Sequence, residues 1–102
     1  MKFGIRGRGI ELTEELLAHV ERRLRPALSH FEQKIRQAAV QLADLNGPRG
    51  GLDKQCRVTV TLSPSGKVRA KGVDTDLHTA IDRAAEELER SVTRELERRG
   101  RN

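Results

Sequence analysis

The chain has 102 residues, 35% hydrophobic and 34% charged, which suits one folded α+β domain and excludes a disordered polypeptide. Twenty Lys and Arg outnumber fifteen Asp and Glu, giving a net charge of +5 and a pI of about 10.1, so the favoured partners are polyanions. No apolar run approaches the ~18 residues that a membrane span requires.

Residues 2–7 read as a first strand, with Phe3 and Ile5 on one side and Lys2, Gly4 and Arg6 on the other. Gly7-Arg8-Gly9 ends it. Thr13 is placed to cap a helix, with Glu14 and Glu15 in its first turn, where carboxylates suit the helix dipole. Leu16, Leu17, Val20, Leu24, Ala27, Leu28 and Phe31 then recur at helical spacing. Pro26 is expected to kink this helix or to end it near Arg25. Residues 35–44 form a second strand with Ala38, Val40 and Leu42 on one face and Gln37 and Gln41 on the other. The stretch from Leu45 to Lys54 is a loop rich in turn residues. Residues 55–62 alternate, with Cys56, Val58, Val60 and Leu62 inward and Gln55, Arg57, Thr59 and Thr61 outward. After the turn Ser63-Pro64-Ser65-Gly66, residues 67–73 give a fourth strand, with Val68 and Ala70 inward and Lys67, Arg69 and Lys71 outward. A second helix runs from about Thr75 to Arg98, with Leu77, Ile81, Ala84, Ala85, Leu88 and Val92 as its apolar stripe.

The order is therefore β-α-β-β-β-α in a single domain, residues 1–102. The fold class is α+β, a four-stranded mixed sheet with two helices packed on one face and the other face open to water. The first two strands, joined through a helix, are expected to be parallel.

The charge excess does not lie on the helices. Residues 13–25 are balanced, and residues 75–99 carry seven acidic against five basic side chains. Residues 53–74 alone carry a net +3. Strand parity places Lys2, Arg6, Arg8, Arg57, Lys67, Arg69 and Lys71 on or beside the open face, with no carboxylate of the same parity. Such a patch repels itself until a partner neutralises it, and RNA phosphate fits that role with a steep salt dependence. Strand cations also deter edge-to-edge pairing, the simpler use of the same residues. On the second helix, Arg83, Arg90 and Arg94 fall opposite the apolar stripe. There they could reach phosphates or pair within the helix, Arg83 with Glu87 and Glu86 with Arg90.

Chemistry of other kinds is not visible. Phe3 and Phe31 are the only aromatic residues and both sit in apolar patterns, so no stacking platform for bases is expected. Gly47-Pro48-Arg49-Gly50 matches a backbone-clamping GxxG but lies between strands and reads as a hairpin loop. His19, His30 and His78 are scattered, with no metal-ligand spacing, so no metal or cofactor is expected. Cys56, the single cysteine, excludes an intramolecular disulfide; it reads as a core thiol in a reducing, cytoplasmic setting. Asp74 and Asp76 open the second helix as caps. No nucleophile stands beside a base, so an enzyme is not expected. No apolar stretch follows Met1-Lys2, so no secretory leader is expected.

Several blocks carry a family resemblance: Ile5-Arg6-Gly7, Glu11-Leu12-Thr13 opening the first helix, and Asp74-Thr75-Asp76-Leu77-His78-Thr79-Ala80-Ile81-Asp82 opening the second, followed by Ala85 and Leu88. With these residues and the element order, the chain resembles the ribosome hibernation promoting factors and ribosome-associated inhibitors, the sigma-54 modulation proteins. The resemblance implies binding to the small ribosomal subunit and its rRNA in stationary phase or stress. Translation is then inhibited by occlusion of the mRNA and tRNA channel, without chemistry. It implies a bacterial, cytoplasmic protein with no small-molecule substrate and no membrane partner, expected to be monomeric when free. Ending at Asn102, without a long tail, the chain is similar to the short form associated with ribosome pairing. Basic helix residues contribute contacts in the family, and Arg22, Arg23, Arg90 and Arg94 occupy matching positions. Glu86, Glu87, Glu89, Glu95 and Glu97 interrupt the second helix, which moves the expected contact toward the sheet and loops. Pro26 and His78 also depart from the family pattern. Two other functions fit the same charge: a regulator that binds an acidic protein partner, and a general double-stranded RNA-binding module.

Overall fold

A computed structural model describes residues 2–45 and 53–100. The elements follow the expected order: β1 (Lys2–Arg8), α1 (Glu14–Ser29), β2 (Ile35–Asp44), β3 (Lys54–Leu62), β4 (Lys67–Asp74) and α2 (Leu77–Gly100). A short 3-10 turn, Glu32–Lys34, leads into β2 and was not legible in the sequence. The strands form one sheet in the order β1-β2-β3-β4, with β1 parallel to β2 and the other pairs antiparallel. Of the loop between β2 and β3, residues 46–52 lie outside the described residues, and with them the GxxG reading.

Alternation decides which side of each strand is dry. Ala38, Val40 and Leu42 of β2, Cys56, Val58, Val60 and Leu62 of β3, and Val68 and Ala70 of β4 enter one core with Leu16, Val20, Leu24 and Leu28 of α1 and Ala80, Ile81, Ala84, Ala85, Leu88 and Val92 of α2. Each large aliphatic side chain buried there contributes about 1.5–3 kcal/mol relative to exposure. The pairing shifts between Ile35 and Gln37, a bulge that also turns Ile35 inward, out of phase with Ala38. Burial pushes the Cys56 thiol up to about 12, so it is a small core hydrophobe rather than a nucleophile.

The two helices start as their caps dictate. The Thr13 hydroxyl accepts from the Leu16 backbone N–H at 3.1 Å. The Asp76 carboxylate accepts from both the Thr79 N–H and the Thr79 hydroxyl, which holds its pKa below the usual carboxylate value. Asp74 in turn accepts from the Asp76 N–H at 2.9 Å, so both acids serve the helix start.

Pro26 does not end α1 at Arg25. The helix continues to Ser29 because Leu24 and Leu28, on either side of the proline, are both fully buried. Core packing offsets the backbone hydrogen bond that proline cannot make to the Arg22 carbonyl.

The helices sit at different heights above the sheet. Leucines and a valine hold α1 away from the strands. α2 lies close on β4, because Gly72 faces small residues: a Cβ there would collide with the Ala80 carbonyl oxygen and stand 2.5 Å from the Ala84 nitrogen. Gly72→Ala is therefore expected to lower stability by about 1–3 kcal/mol in urea denaturation. Gly4→Ala, whose Cβ meets nothing within 4 Å, should cost nothing.

Candidate nucleic-acid interface

With both helices on one side, the other side of the sheet is open except at Ala43 and Gln55, which are buried although their parity, and for Gln55 the sequence expectation, is outward; the strand registers order the side chains of this face into rows across the strands. The rows are Lys2–Gln37–Thr61–Lys67, Gly4–Ala39–Thr59–Arg69, Arg6–Gln41–Arg57–Lys71 and Arg8–Ala43–Gln55–Val73. All seven cations assigned from parity fall in them, and all seven are exposed. No Asp or Glu has this parity. Asp44 and Asp74, the carboxylates at the strand ends, share the helix-side parity, as does Lys54, which pairs with Asp53 at 2.9 Å and Asp44 at 3.4 Å.

Among the described residues, none of these seven cations is within ion-pair distance of a carboxylate. The helices differ. Arg25 pairs with Glu21, Arg83 with Asp74, and Arg98 and Arg99 with Glu95. Arg23 reaches across to Asp82 at 2.8 Å, beside His19, which contacts the same oxygen at 2.9 Å. The His19 ring stands edge-on to His78 at 4.5 Å, and His78 lies 3.6 Å from Glu15. Two histidines that looked scattered in the sequence thus join an α1–α2 clasp, but among the described residues no cluster has the make-up of a metal site.

The expected helix contacts therefore separate. Arg23 is engaged in the clasp, and Arg22 is exposed on α1, on the side away from the open sheet face. Arg90 and Arg94 converge on Glu87 at 3.0 and 3.8 Å, instead of the expected pairings of Glu87 with Arg83 and of Arg90 with Glu86. The Arg90 hydrogen bond, ahead of the one from Ser91, holds the Glu87 carboxyl below its ordinary pKa.

A trough of about 950 Å³ runs over the open face. Arg6, Gln41, Arg57 and Lys71 line one side, Gly4, Ala39 and Thr59 the floor, and Glu87 the lip beyond β4. Gly4, Ala39 and the lip were not singled out from sequence. The floor row could be found only once the strands were in register. Neither aromatic ring reaches the trough: Phe3 lies on the helix side under the Arg25 guanidinium, 5.0 Å from its ring centre, and Phe31 packs beside His30.

The fold is a four-stranded α/β module with two helices on one side of the sheet and exposed Lys and Arg on the other. The match of the family model "Sigma 54 modulation protein / S30EA ribosomal protein" to residues 3–100 shows that the chain belongs to that family, one of binding proteins rather than enzymes. It is 32% identical over 94 residues to the ribosome hibernation promotion factor of Bacillus subtilis, covering 90% of this chain and 47% of that protein. It is 33% identical over 91 residues to the protein of the same name from Deinococcus radiodurans, covering 88% of this chain and 46% of that one. The chain spans about half the length of these curated relatives. Among solved structures, the N-terminal domain of Thermus thermophilus Protein Y matches with a TM-score of 0.74 and 33% identity, covering 92% of this chain and 98% of that one. A ribosomal subunit interface protein from Coxiella burnetii shares the fold, with a TM-score of 0.77, 18% identity and coverage of 95% of this chain and 99% of that one.

Among the described residues Glu87 is the one carboxylate lining the trough, and it ties down the two arginines next to it. Glu87→Gln should raise the salt concentration at which the protein leaves a heparin column, by removing a negative charge and freeing Arg90 and Arg94. Arg57→Glu should lower it.

Proposed function

We propose that the chain is a ribosome hibernation factor of the bacterial cytoplasm that seats its cationic sheet face on rRNA of the small subunit. It blocks translation there by filling the space that mRNA and tRNA would use, in stationary phase or under stress. The observation that carries this reading is the group of seven cations on one face with no ion-pair partner among the described residues, the carboxylates of the strands being turned to the other side. Occlusion needs a rigid body and a polyanion-binding surface, and no catalytic group. The relatives' names support the ribosome as the partner, and the lack of stacking aromatics on the face supports phosphate contact over base readout.

The energetics follow from counterion release. About five phosphate contacts imply a loss of affinity of roughly a hundredfold or more when salt rises fourfold. Co-sedimentation with vacant ribosomes should therefore be strong at 50 mM salt and largely lost at 200 mM, taking the range over which such contacts are commonly compared as about these values. Arg57→Glu combined with Arg69→Glu should reduce co-sedimentation more than Arg90→Glu, because Arg90 is already paired with Glu87. Protein remaining at the top of the gradient at low salt would refute the reading. Capture of an acidic protein from nuclease-treated extract, without ribosomal components, would point to the protein-regulator alternative.

A further inference from the structure

Glycine in mid-strand weakens a sheet unless something requires it. Gly72 is required by the approach of α2, and Gly9 and Gly66 by positive φ. Gly4 has neither reason. Its φ is not positive, and a Cβ built on it would meet no atom within 4 Å. Among the described residues no contact accounts for the missing side chain, which leaves the space above it. That space is the trough floor, where Gly4, Ala39 and Thr59 form a row of small residues across three strands, ending in Arg69.

Resting on the reading above, we propose that this floor row seats one single RNA strand, its sugar–phosphate backbone crossing the β-strands roughly at right angles. The rows on either side of the floor, through Arg6 and through Lys2, lie four residues apart on β1, about 13 Å. That span takes one backbone, not a double helix. Along the row Arg6–Gln41–Arg57–Lys71, three cations face phosphates while the Gln41 amide can both donate to and accept from a ribose hydroxyl. The Thr59 hydroxyl can do the same from the floor. With no aromatic ring on the face, bases find no platform and point away, so the contact is blind to sequence. Gly4 is thus a specificity residue for single strand over duplex. It acts by letting the backbone come down to the sheet.

The test fills the floor without changing charge. Gly4→Leu places a side chain where the fold has open space, so its thermal midpoint should match that of the unaltered protein. Fluorescence anisotropy at low salt with oligo-U, oligo-A and an RNA duplex of equal length should show the unaltered protein binding the two single strands within twofold of each other. The duplex should bind at least fivefold more weakly. Gly4→Leu should weaken single-strand binding tenfold or more and reduce ribosome co-sedimentation in step. If Gly4→Leu binds like the unaltered protein while Arg57→Glu with Arg69→Glu fails, the seated strand is wrong and the cationic face stands. If all variants co-sediment with ribosomes equally, the reading of the face itself is wrong. Tighter binding to duplex than to single strand, or no binding of the oligomers at low salt, also overturns the proposal.

Discussion

Because successive side chains of a strand leave opposite sides of the sheet, the residues at the centre of each strand are committed either to the helices or to the open face. The core decides which. Leu42, Cys56, Val58 and Val60 must meet the helix leucines, so Gln41, Arg57 and Thr59 must face away. A slip of one residue would bury Arg57 and Lys71 and expose the aliphatic set, a change far beyond the stability of a domain this small. The cationic face is thus enforced by hydrophobic packing on the opposite side. Binding surface and core are two readings of one alternation.

The helices and the sheet use the same residue types for different ends. Arginine on the helices is largely consumed within the protein: Arg23 bridges α1 to α2 through Asp82, and Arg99 pairs with Glu95 while donating to the Ser65 carbonyl in the β3–β4 turn. Such half-exposed surface pairs contribute little each, typically about 1 kcal/mol or less, but they remove those cations from the pool open to a partner. On the open sheet face, among the described residues, the cations have no carboxylate within ion-pair distance, and Glu87 stands only at the lip. At cross-strand distances in water their repulsion is modest and screened by salt, so the fold tolerates it. A phosphate chain laid over them converts that repulsion into attraction. The contrast between the two layers, rather than the net charge, is what gives the molecule a single cationic side.

Much of this was legible in the sequence because it depends on local periodicity. Parity alone placed Lys2, Arg6, Arg57, Lys67, Arg69 and Lys71 together, and the caps at Thr13 and Asp76 marked both helix starts. What could not be read depends on neighbours distant along the chain. Pro26 looked like a kink or a helix end, and the end was not excluded because the burial of Leu28, which carries the helix past it, is a tertiary fact. His19 and His78, fifty-nine residues apart in the numbering, meet only because α1 and α2 lie side by side. The pairing of Glu87 with Arg90 and Arg94 reflects rotamer choice on an exposed helix, where several partners at three, four or seven residues compete. The trough floor is invisible for a further reason: Gly4, Ala39 and Thr59 form a row only after three strands are set in register, and register is a property of the sheet.

The position of α2 connects the packing to the site. Small residues at Gly72, Ala80 and Ala84 let this helix lie close against β4, an edge strand. One flank of the helix is thereby brought to the margin of the open face, which is why Glu87 lines the trough although its neighbours Ala84 and Leu88 are in the core. Were Gly72 any larger residue, the helix would ride higher and its flank would no longer close the β4 side. The lip, with its carboxylate holding two arginines in reserve, is therefore a consequence of the same close contact that buries α2. The glycine at the core side of β4 shapes the rim of the trough, and the glycine on the open side of β1 leaves room in its floor.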